Sequence, residues 1–253
     1  MSGYVAFIKK EFMENTRNFR LLIMLALFVI FGMLSPLSAK FMPEIISSFA
    51  QDLQITIVEP TALDSWTQFY KNVSQIGFSI FIILFSSCLS NEYARGTLTI
   101  MLTKGLPRPA IILSKYIAAA VIMTVSYWLC FGITYGYTAY LWPSADLQHT
   151  LFAAFSLWII AFMYLSILIL GCVLFKQAFS AIVFLLAVIA IIMLCSIPPQ
   201  IASCSPMFLM SKNIDLLSGT TAISEFIVPI ITALIITAGF LFAAVVSFNK
   251  KQV

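Results

Sequence analysis

The sequence predicts an all-α integral membrane protein with six transmembrane helices, and two observations predict this fold class. First, 61% of the 253 residues are hydrophobic and 9% are charged, with a mean hydropathy of +1.02. Soluble domains carry about 25% charged residues, so lipid must be the main solvent of this chain. Second, the apolar residues form long continuous runs, whereas the strands of an outer-membrane barrel would alternate between apolar and polar residues.

Six apolar runs each approach the roughly 20 residues that a helix needs to cross about 30 Å of hydrocarbon. The predicted spans are residues 21–38, 72–91, 111–141, 151–175, 177–197 and 226–248. The third and fourth spans are separated only by a short polar turn. The whole chain, residues 1–253, is therefore predicted to form a single transmembrane domain.

Residues 1–20 are predicted to form a short helix that lies in the membrane interface, because their apolar and charged side chains fall on different helix faces. A solvated tail is the alternative. The apolar positions are Tyr4, Phe7, Ile8 and Phe12, and the charged positions are Lys9, Lys10, Glu14 and Arg17.

The distribution of lysine and arginine predicts the orientation, because these residues are concentrated in cytoplasmic loops. One side of the predicted bundle, which also holds both termini, has Lys9, Lys10, Arg17, Arg20, Arg95, Lys104, Arg108, Lys115, Lys176, Lys250 and Lys251. The opposite side has Lys40, Lys71 and Lys212. Both termini are therefore expected in the cytoplasm.

Two longer connections lie on the predicted outer side. Residues 40–71 contain Trp66, Phe69 and Tyr70 at helical spacing, which predicts a segment resting on the membrane surface. Residues 198–225 combine three prolines with apolar residues. That composition suits a partial re-entry into the membrane, and a plain loop is the equal alternative.

Small and aromatic residues mark the third span. Gly132 and Gly136 have the spacing that lets helices approach closely, either within one protomer or between two copies. Aromatic residues follow towards the outer end, where they are expected to anchor the helix in the interface. Lining a substrate path is their alternative role. These residues are Tyr135, Tyr137, Tyr140 and Trp142.

No catalytic, cofactor or metal site is predicted. The sequence has no Gly-rich phosphate loop, His–Glu metal motif or nucleophile elbow. The five cysteines lack the spacing of metal ligands, although Cys195 and Cys204 both approach the outer side, where a disulfide is one possibility. His149 is expected to be a solvated residue in a turn. The chain is therefore predicted not to be an ATPase or any other enzyme.

Ionisable residues are almost absent from the predicted spans. Residues 21–38, 151–175, 177–197 and 226–248 contain no Asp, Glu, Lys, Arg or His. Lys115 lies near the cytoplasmic end of the third span, where a lysine is expected to extend to the lipid headgroups. Ion-driven carriers place ionisable groups within their spans. The energy source for any transport is therefore predicted to reside in another protein.

The connection between the second and third spans, residues 92–110, has a distinct pattern. A charged helix end is followed by a glycine turn, a short amphipathic helix and a proline break. In chain order these residues are Glu92, Arg95, Gly96, Thr97, Leu98, Met101, Leu102, Pro107 and Arg108. A helix parallel to the membrane could present an apolar face to a partner here.

At these positions the sequence resembles the type-2 family of ABC transporter permeases. That family often has Glu, then Gly-Thr-Leu four residues later, then Pro with a nearby Arg, and finally Lys. The matching residues are Glu92, Gly96, Thr97, Leu98, Pro107, Arg108 and Lys115. Acidic residues that many relatives carry are replaced by Ala94 and Thr99, and a common glycine by Ser114. These departures alter the expected charge pattern at the boundary with an ATPase.

The resemblance implies that residues 92–110 form a coupling helix, with the nine residues named above at the interface with a separate ATPase subunit. Two permeases, identical or not, would pair with two ATPases that bind ATP and Mg²⁺. The implied function is export across a bacterial plasma membrane. Because the spans are nearly free of charge, the expected substrate is an apolar or amphipathic lipid-like compound, drug or peptide. The alternative function is a membrane scaffold or sensor that recruits a soluble protein through the same basic loop.

Overall fold

The computed structural model describes residues 3–49, 59–103, 107–144 and 147–251 and is all-helical over these ranges. The helices are α1 (Gly3–Arg17), α2 (Arg20–Phe49), α3 (Ala62–Lys71), a π-helical turn (Asn72–Gly77), α4 (Phe78–Arg95), α5 (Thr97–Thr103), α6 (Arg108–Leu141), α7 (Thr150–Phe175), α8 (Ala178–Cys195), α9 (Pro199–Ala202), α10 (Phe208–Ser211), α11 (Asn213–Leu217) and α12 (Ile223–Lys250).

Six helical stretches are long and apolar enough to cross a membrane, which confirms the predicted number of spans. They are Arg20–Met42, Ala62–Ala94, Arg108–Leu141, Thr150–Phe175, Ala178–Cys195 and Ile223–Lys250. Within the described residues, α7 is the most buried of them and packs against α4, α6, α8 and α12. In contrast, α8 and α12 turn most of their apolar surface outward.

The bundle has a basic end and an opposite end. The basic end holds α1, the α4–α6 connection, the turn at Lys176 and the end of α12. The opposite end holds α3, the turn between α6 and α7, and the segment between α8 and α12. At the basic end, Arg20 reaches from α2 to Ser87 Oγ on α4, 2.8 Å away. At the opposite end, Trp142 Nε1 donates to the carbonyl of Pro60 at 2.8 Å.

The expectation that Trp66, Phe69 and Tyr70 rest on the membrane surface is wrong. All three side chains are buried, because α3 continues through the π-helical turn into α4 and packs against α2 and α6. The Trp66 ring lies 5.3 Å from Phe131 and the Phe69 ring 6.0 Å from Tyr127, between centroids. An aromatic stripe at helical spacing fits a neighbouring helix as well as it fits lipid, so the spacing alone did not distinguish them.

The closest helix contacts occur at other glycines than the predicted pair. A β-carbon on Gly32 would lie 3.0 Å from the Cys130 carbonyl oxygen, and one on Gly171 would lie 3.0 Å from the Ala181 carbonyl oxygen. These positions let α2 approach α6 and α7 approach α8. A β-carbon on Gly132 or Gly136 would meet no described atom within 4 Å. The predicted pair therefore makes no close helix contact within the described part of the protomer.

The segment between α8 and α12 folds back along the helices as three short helices, α9 to α11. Ser156 Oγ donates to Asn213 Oδ1 at 2.8 Å, and Thr232 Oγ1 donates to the Cys204 carbonyl at 2.7 Å. At 1.5 Å per residue these contacts lie about 9 Å along α7 and about 14 Å along α12 from the helix starts. This packing places the segment beside α7 and α12, and its partial re-entry into the membrane stays a prediction. Cys195 and Cys204 are both free and exposed.

Candidate functional site

Five charged side chains meet at the basic end of the bundle and are called the ion cluster: Lys10, Glu11, Glu14, Glu92 and Lys115. Lys115 Nζ lies 3.1 Å from both carboxylate oxygens of Glu11 and 2.8 Å from Glu92 Oε1. Lys10 Nζ lies 3.0 Å from an oxygen of Glu11, 3.0 Å from Glu92 Oε1 and 2.6 Å from Glu14 Oε2. The cluster therefore joins three helices, α1, α4 and α6, through shared ion pairs.

The sequence of α1 explains how its acidic residue enters the protein. Phe7, Glu11 and Asn15 are spaced four residues apart, so they lie on one helix face, and all three are buried against the bundle. Asn15 Oδ1 accepts a hydrogen bond from Arg20 at 3.2 Å, which ties the end of α1 to α2. Ile8 and Phe12 flank this face and are partly buried. The side chain of Tyr4 lies outside the described residues.

The charges of the ion cluster do not balance. Three carboxylates and two ammonium groups give a formal charge of −1, and the side chains of Lys115, Glu11 and Glu92 are 2%, 5% and 5% exposed. The second carboxylate oxygen of Glu92 is buried and has no hydrogen-bond partner among the described residues. Charges buried in this way are costly to separate, because each would lose its partner without regaining water.

The ion pairs shift the pKa values of Lys10 and Glu14, the two less buried members of the cluster. Partial burial alone would lower the pKa of Lys10, but its bond to Glu14 and the charges of Glu11 and Glu92 raise the pKa above 10.5. Burial alone would raise the pKa of Glu14, but the bond to Lys10 lowers it below 4.5. Both groups are therefore held in their charged forms at neutral pH.

One oxygen from each of Glu11, Glu14 and Glu92 lies within 4.8 Å of the others, a spacing that could hold a metal ion. Each of these carboxylates is already paired with Lys10 or Lys115. The arrangement is therefore that of an ion-pair network, and the residues are not assigned as metal ligands.

A groove of about 350 Å³ adjoins the cluster. Met13, Glu14 and Arg17 of α1 form one wall, and Thr97 and Met101 of α5 belong to the other. The segment that the sequence singled out thus shares a surface with α1. Thr97 Oγ1 of α5 also donates to the Glu92 carbonyl at 3.4 Å, so α5 contacts the residue of α4 that enters the ion cluster.

Several predicted coupling residues face the interior. Glu92 is 4% exposed and paired with two lysines, so its carboxylate is shielded from the protein surface. Leu98 is 1% exposed, and Met101 packs against the core. The amphipathic spacing of α5 is thus used for packing against this bundle. The sequence could not distinguish such a face from one that contacts a partner.

Other predicted residues lie at the surface or outside the described part of the chain. Gly96 is exposed with a φ of 65° and ends α4, a conformation that glycine adopts most easily. Pro107 is exposed immediately before α6, and Thr97 is half-buried. The side chains of Arg95 and Leu102 lie outside the described residues.

Arg108 connects helices within the protein. Its Nη1 donates to the carbonyls of Phe248, Asn249 and Lys251 at 3.2, 2.8 and 2.6 Å. These contacts provide hydrogen-bond donors for carbonyls at the end of α12, which has no further helical turn to pair them. Lys251 Nζ similarly donates to the carbonyl of Leu174, at the end of α7, at 2.9 Å. Arg108 therefore fixes the start of α6 to the end of α12.

The expectation that Lys115 extends to the lipid headgroups is wrong, because its ammonium group points into the ion cluster. The sequence analysis did not single out Glu11, and it placed Lys10 and Glu14 on faces of α1 other than the apolar one. A signal was present in the sequence. Glu11 follows Phe7 by one helical turn, so a carboxylate lies on the apolar face of α1, and a buried carboxylate requires a cation nearby.

The chain matches a protein family and a bacterial membrane protein. Residues 5–253 match the family model described as "ABC-2 family transporter protein". The chain is also similar to a transmembrane protein of Bacillus subtilis (strain 168), YxlG, with 23% identity over 167 residues. The aligned region covers 63% of this chain and 64% of that relative, slightly less than two thirds of its length.

Proposed function

Since the chain belongs to the ABC-2 family of transporter proteins, as a multi-pass membrane component and not as an ATPase, we propose that it is the permease of an ATP-driven exporter. Members of this family normally pair with an ATPase subunit. In the proposed complex, two permeases, either two copies of this chain or this chain and a paralogue, pair with two ATPases. The ATPases bind ATP and Mg²⁺, and the permease contributes the membrane path.

The observation that carries this proposal is the attachment of residues 92–110 to the ion cluster. Glu92 lies in the last turn of α4, shortly before α5, and Lys115 lies two turns into α6. Lys10 and Glu11 of α1 pair with these two residues, respectively. A load applied to α5 by an ATPase would move the end of α4. The buried ion pairs would resist separation, so α1 and α6 would move with it.

The exposed residues of the segment are the proposed contact surface. Gly96, Thr103 and Pro107 face outward, whereas Glu92 and Arg108 hold the neighbouring helices in register. The basic end is proposed to be cytoplasmic, with both termini there, because it holds most of the lysine and arginine residues. The ATPase would then approach from the compartment that supplies ATP.

An apolar or amphipathic compound is the proposed substrate, moved outward across a bacterial plasma membrane. The spans offer aromatic and aliphatic side chains, and the charged side chains described within them lie towards the two ends of the bundle. A strongly charged solute would have to lose its hydration along such a path without compensation. Preferential transport of free ions or charged sugars by the assembled complex would contradict this substrate class.

The coupling role is tested with two threonine variants. Thr103→Arg places a bulky charge on the exposed end of α5, and Thr67→Arg places the same charge on an exposed position of α3 at the opposite end. Each variant is purified with its native partners, and the ATPase that co-purifies is quantified and its ATP turnover measured. We expect Thr103→Arg to release the ATPase or uncouple its turnover and Thr67→Arg to behave as wild type. Equal behaviour of both variants would remove residues 92–110 from the coupling role.

Reconstitution provides a second test. In vesicles that contain this chain alone, no solute should accumulate against its gradient, since the proposed energy source is absent. Adding the ATPase and ATP should start transport. Accumulation by the chain alone, driven by an ion gradient, would replace the exporter proposal with an autonomous carrier.

A further inference from the structure

A second cavity lies at the opposite end of the bundle, between α3, the end of α6 and the start of α7. Its volume is about 740 Å³. This is within the range of roughly 300–1,000 Å³ that sites for drug-sized molecules occupy. The cavity is far from the ion cluster along α6. Phe131 is the first residue of α6 that lines the cavity, and Lys115 lies sixteen positions earlier in the same helix. The cavity is therefore separate from the proposed coupling site.

The inner wall of this cavity is aromatic and held in place by packing. Trp66 is 1% exposed, and its ring lies 5.3 Å from Phe131, which in turn stacks on Tyr135 at 6.1 Å with 26° between the planes. The polar groups of this wall are already hydrogen-bonded. The Trp142 N–H donates to the Pro60 carbonyl, and Thr138 Oγ1 and Ser65 Oγ are bonded to each other at 2.7 Å. These residues therefore present mainly ring and methyl surface to a ligand.

The remaining polar groups lie around this apolar wall. Tyr135 is more than half exposed, and His149 and Thr150 line the cavity at the start of α7. Among the described residues that line the cavity, none is Asp, Glu, Lys or Arg. Among these described lining residues a charged headgroup would find no counter-ion, whereas a hydroxyl or amide could form hydrogen bonds with the tyrosine, threonine and histidine side chains.

From this arrangement we propose that the cavity binds a neutral amphiphile. Its apolar portion lies against Trp66 and Phe131, and its uncharged polar head lies near His149 and Thr150. The role of the cavity as a site on the export path rests on the proposed function. The binding itself does not, because the cavity is formed by one protomer and needs neither the ATPase nor ATP.

A monoacylglycerol with a diazirine in its acyl chain is a suitable probe, since it has a neutral polar head and an apolar tail. The full chain, purified in lipid nanodiscs, is irradiated with the probe, and the adducts are mapped by peptide mass spectrometry. Two neighbouring positions provide matched variants. Ala139→Trp places an indole in the cavity lining, whereas Tyr140→Trp changes an 81% exposed residue outside the lining.

We expect adducts within residues 131–151 that an unlabelled monoacylglycerol competes away. Competed labelling should fall about tenfold in Ala139→Trp, because the indole occupies space that the probe needs. A tenfold loss of affinity corresponds to a loss of about 1.4 kcal/mol of binding free energy. It should persist in Tyr140→Trp. Labelling that is not competed, or that is equal in both variants, would identify bulk lipid around the helices and overturn the proposal. Equal competition by a fatty acid ionised at the assay pH would overturn the preference for a neutral head.

A transport measurement separates this proposal from the exporter function. The assembled complex is supplied with ATP, and outward movement of the same probe is followed. Competed binding without ATP-dependent movement would contradict the proposed export of this substrate class, while the assignment of the cavity as a binding site would stand. Export that is lost in Ala139→Trp and kept in Tyr140→Trp would support both.

Discussion

Removal of the Lys115 ammonium group is the most direct test of the ion cluster. In Lys115→Met, a side chain of similar length keeps the apolar contacts, but Glu11 and Glu92 lose a cation at 2.8–3.1 Å. The formal charge of the cluster changes from −1 to −2. Removing one partner from a buried ion pair costs about 3–5 kcal/mol. Because Lys10 remains 3.0 Å from both carboxylates, we expect about 3 kcal/mol, the lower end of that range.

The assay is unfolding of the purified chain by SDS in mixed micelles, followed by the loss of helical circular dichroism. Lys9→Met is the matched control, because Lys9 lies on the exposed face of α1. Its free energy of unfolding should change by less than about 0.5 kcal/mol. Both variants remove one lysine charge, so a difference between their unfolding free energies reports the location of that charge in the ion cluster.

A triple variant then tests the electrostatic explanation. Lys115→Met combined with Glu11→Gln and Glu92→Gln leaves no carboxylate without its cation at this position, so most of the lost stability should return. The reasoning would be refuted if Lys115→Met had no larger effect than Lys9→Met. It would also be refuted if the triple variant were less stable than Lys115→Met alone, because packing and not charge would then dominate.

Three further predictions concern the end of α12, the glycines of the spans and Glu14 of the ion cluster. Arg108→Ala should increase hydrogen exchange in the last turn of α12, since three carbonyls lose their donor, whereas exposed Lys250→Ala should leave exchange unchanged. Gly171→Ala should destabilise the chain by about 1–3 kcal/mol in the SDS assay, because its β-carbon would press on the α8 backbone. Gly132→Ala, at an open position, should change stability by less than about 1 kcal/mol in the absence of a partner. The pKa of Glu14 is lowered in the folded state, so its stabilising contribution is fully present above pH 4.5 and is lost as the pH falls through the folded value. The difference in melting temperature between wild type and Glu14→Gln should therefore be largest near neutral pH and shrink on acidification, and a constant difference would exclude the ion pair as its cause.

The long apolar runs determined much of the architecture without reference to any contact. A run of about 20 apolar residues can satisfy its backbone in lipid only as a helix, so the six spans follow from composition and length. The pattern around Glu92, Gly96 and Pro107 likewise identified the family, because it depends on local residue types and spacing. The start of the second span was harder to predict from the sequence. Polar residues such as Asp64 and Gln68 interrupt the apolar pattern of α3, although α3 is continuous with α4 in the structure.

The sequence by itself determined that this chain spans a membrane six times, carries a turn and a short helix after its second span, and belongs to a permease family. Only the tertiary structure decided which side chains of that segment are exposed. A glutamate 81 positions after Glu11 and a lysine 104 positions after it share one buried network, and Arg108 contacts residues about 140 positions away. Ion pairs and helix contacts of this kind depend on distance in space. Hydrophobic periodicity shows which residues share one face of a helix. It does not show which other helix, or which partner, that face contacts.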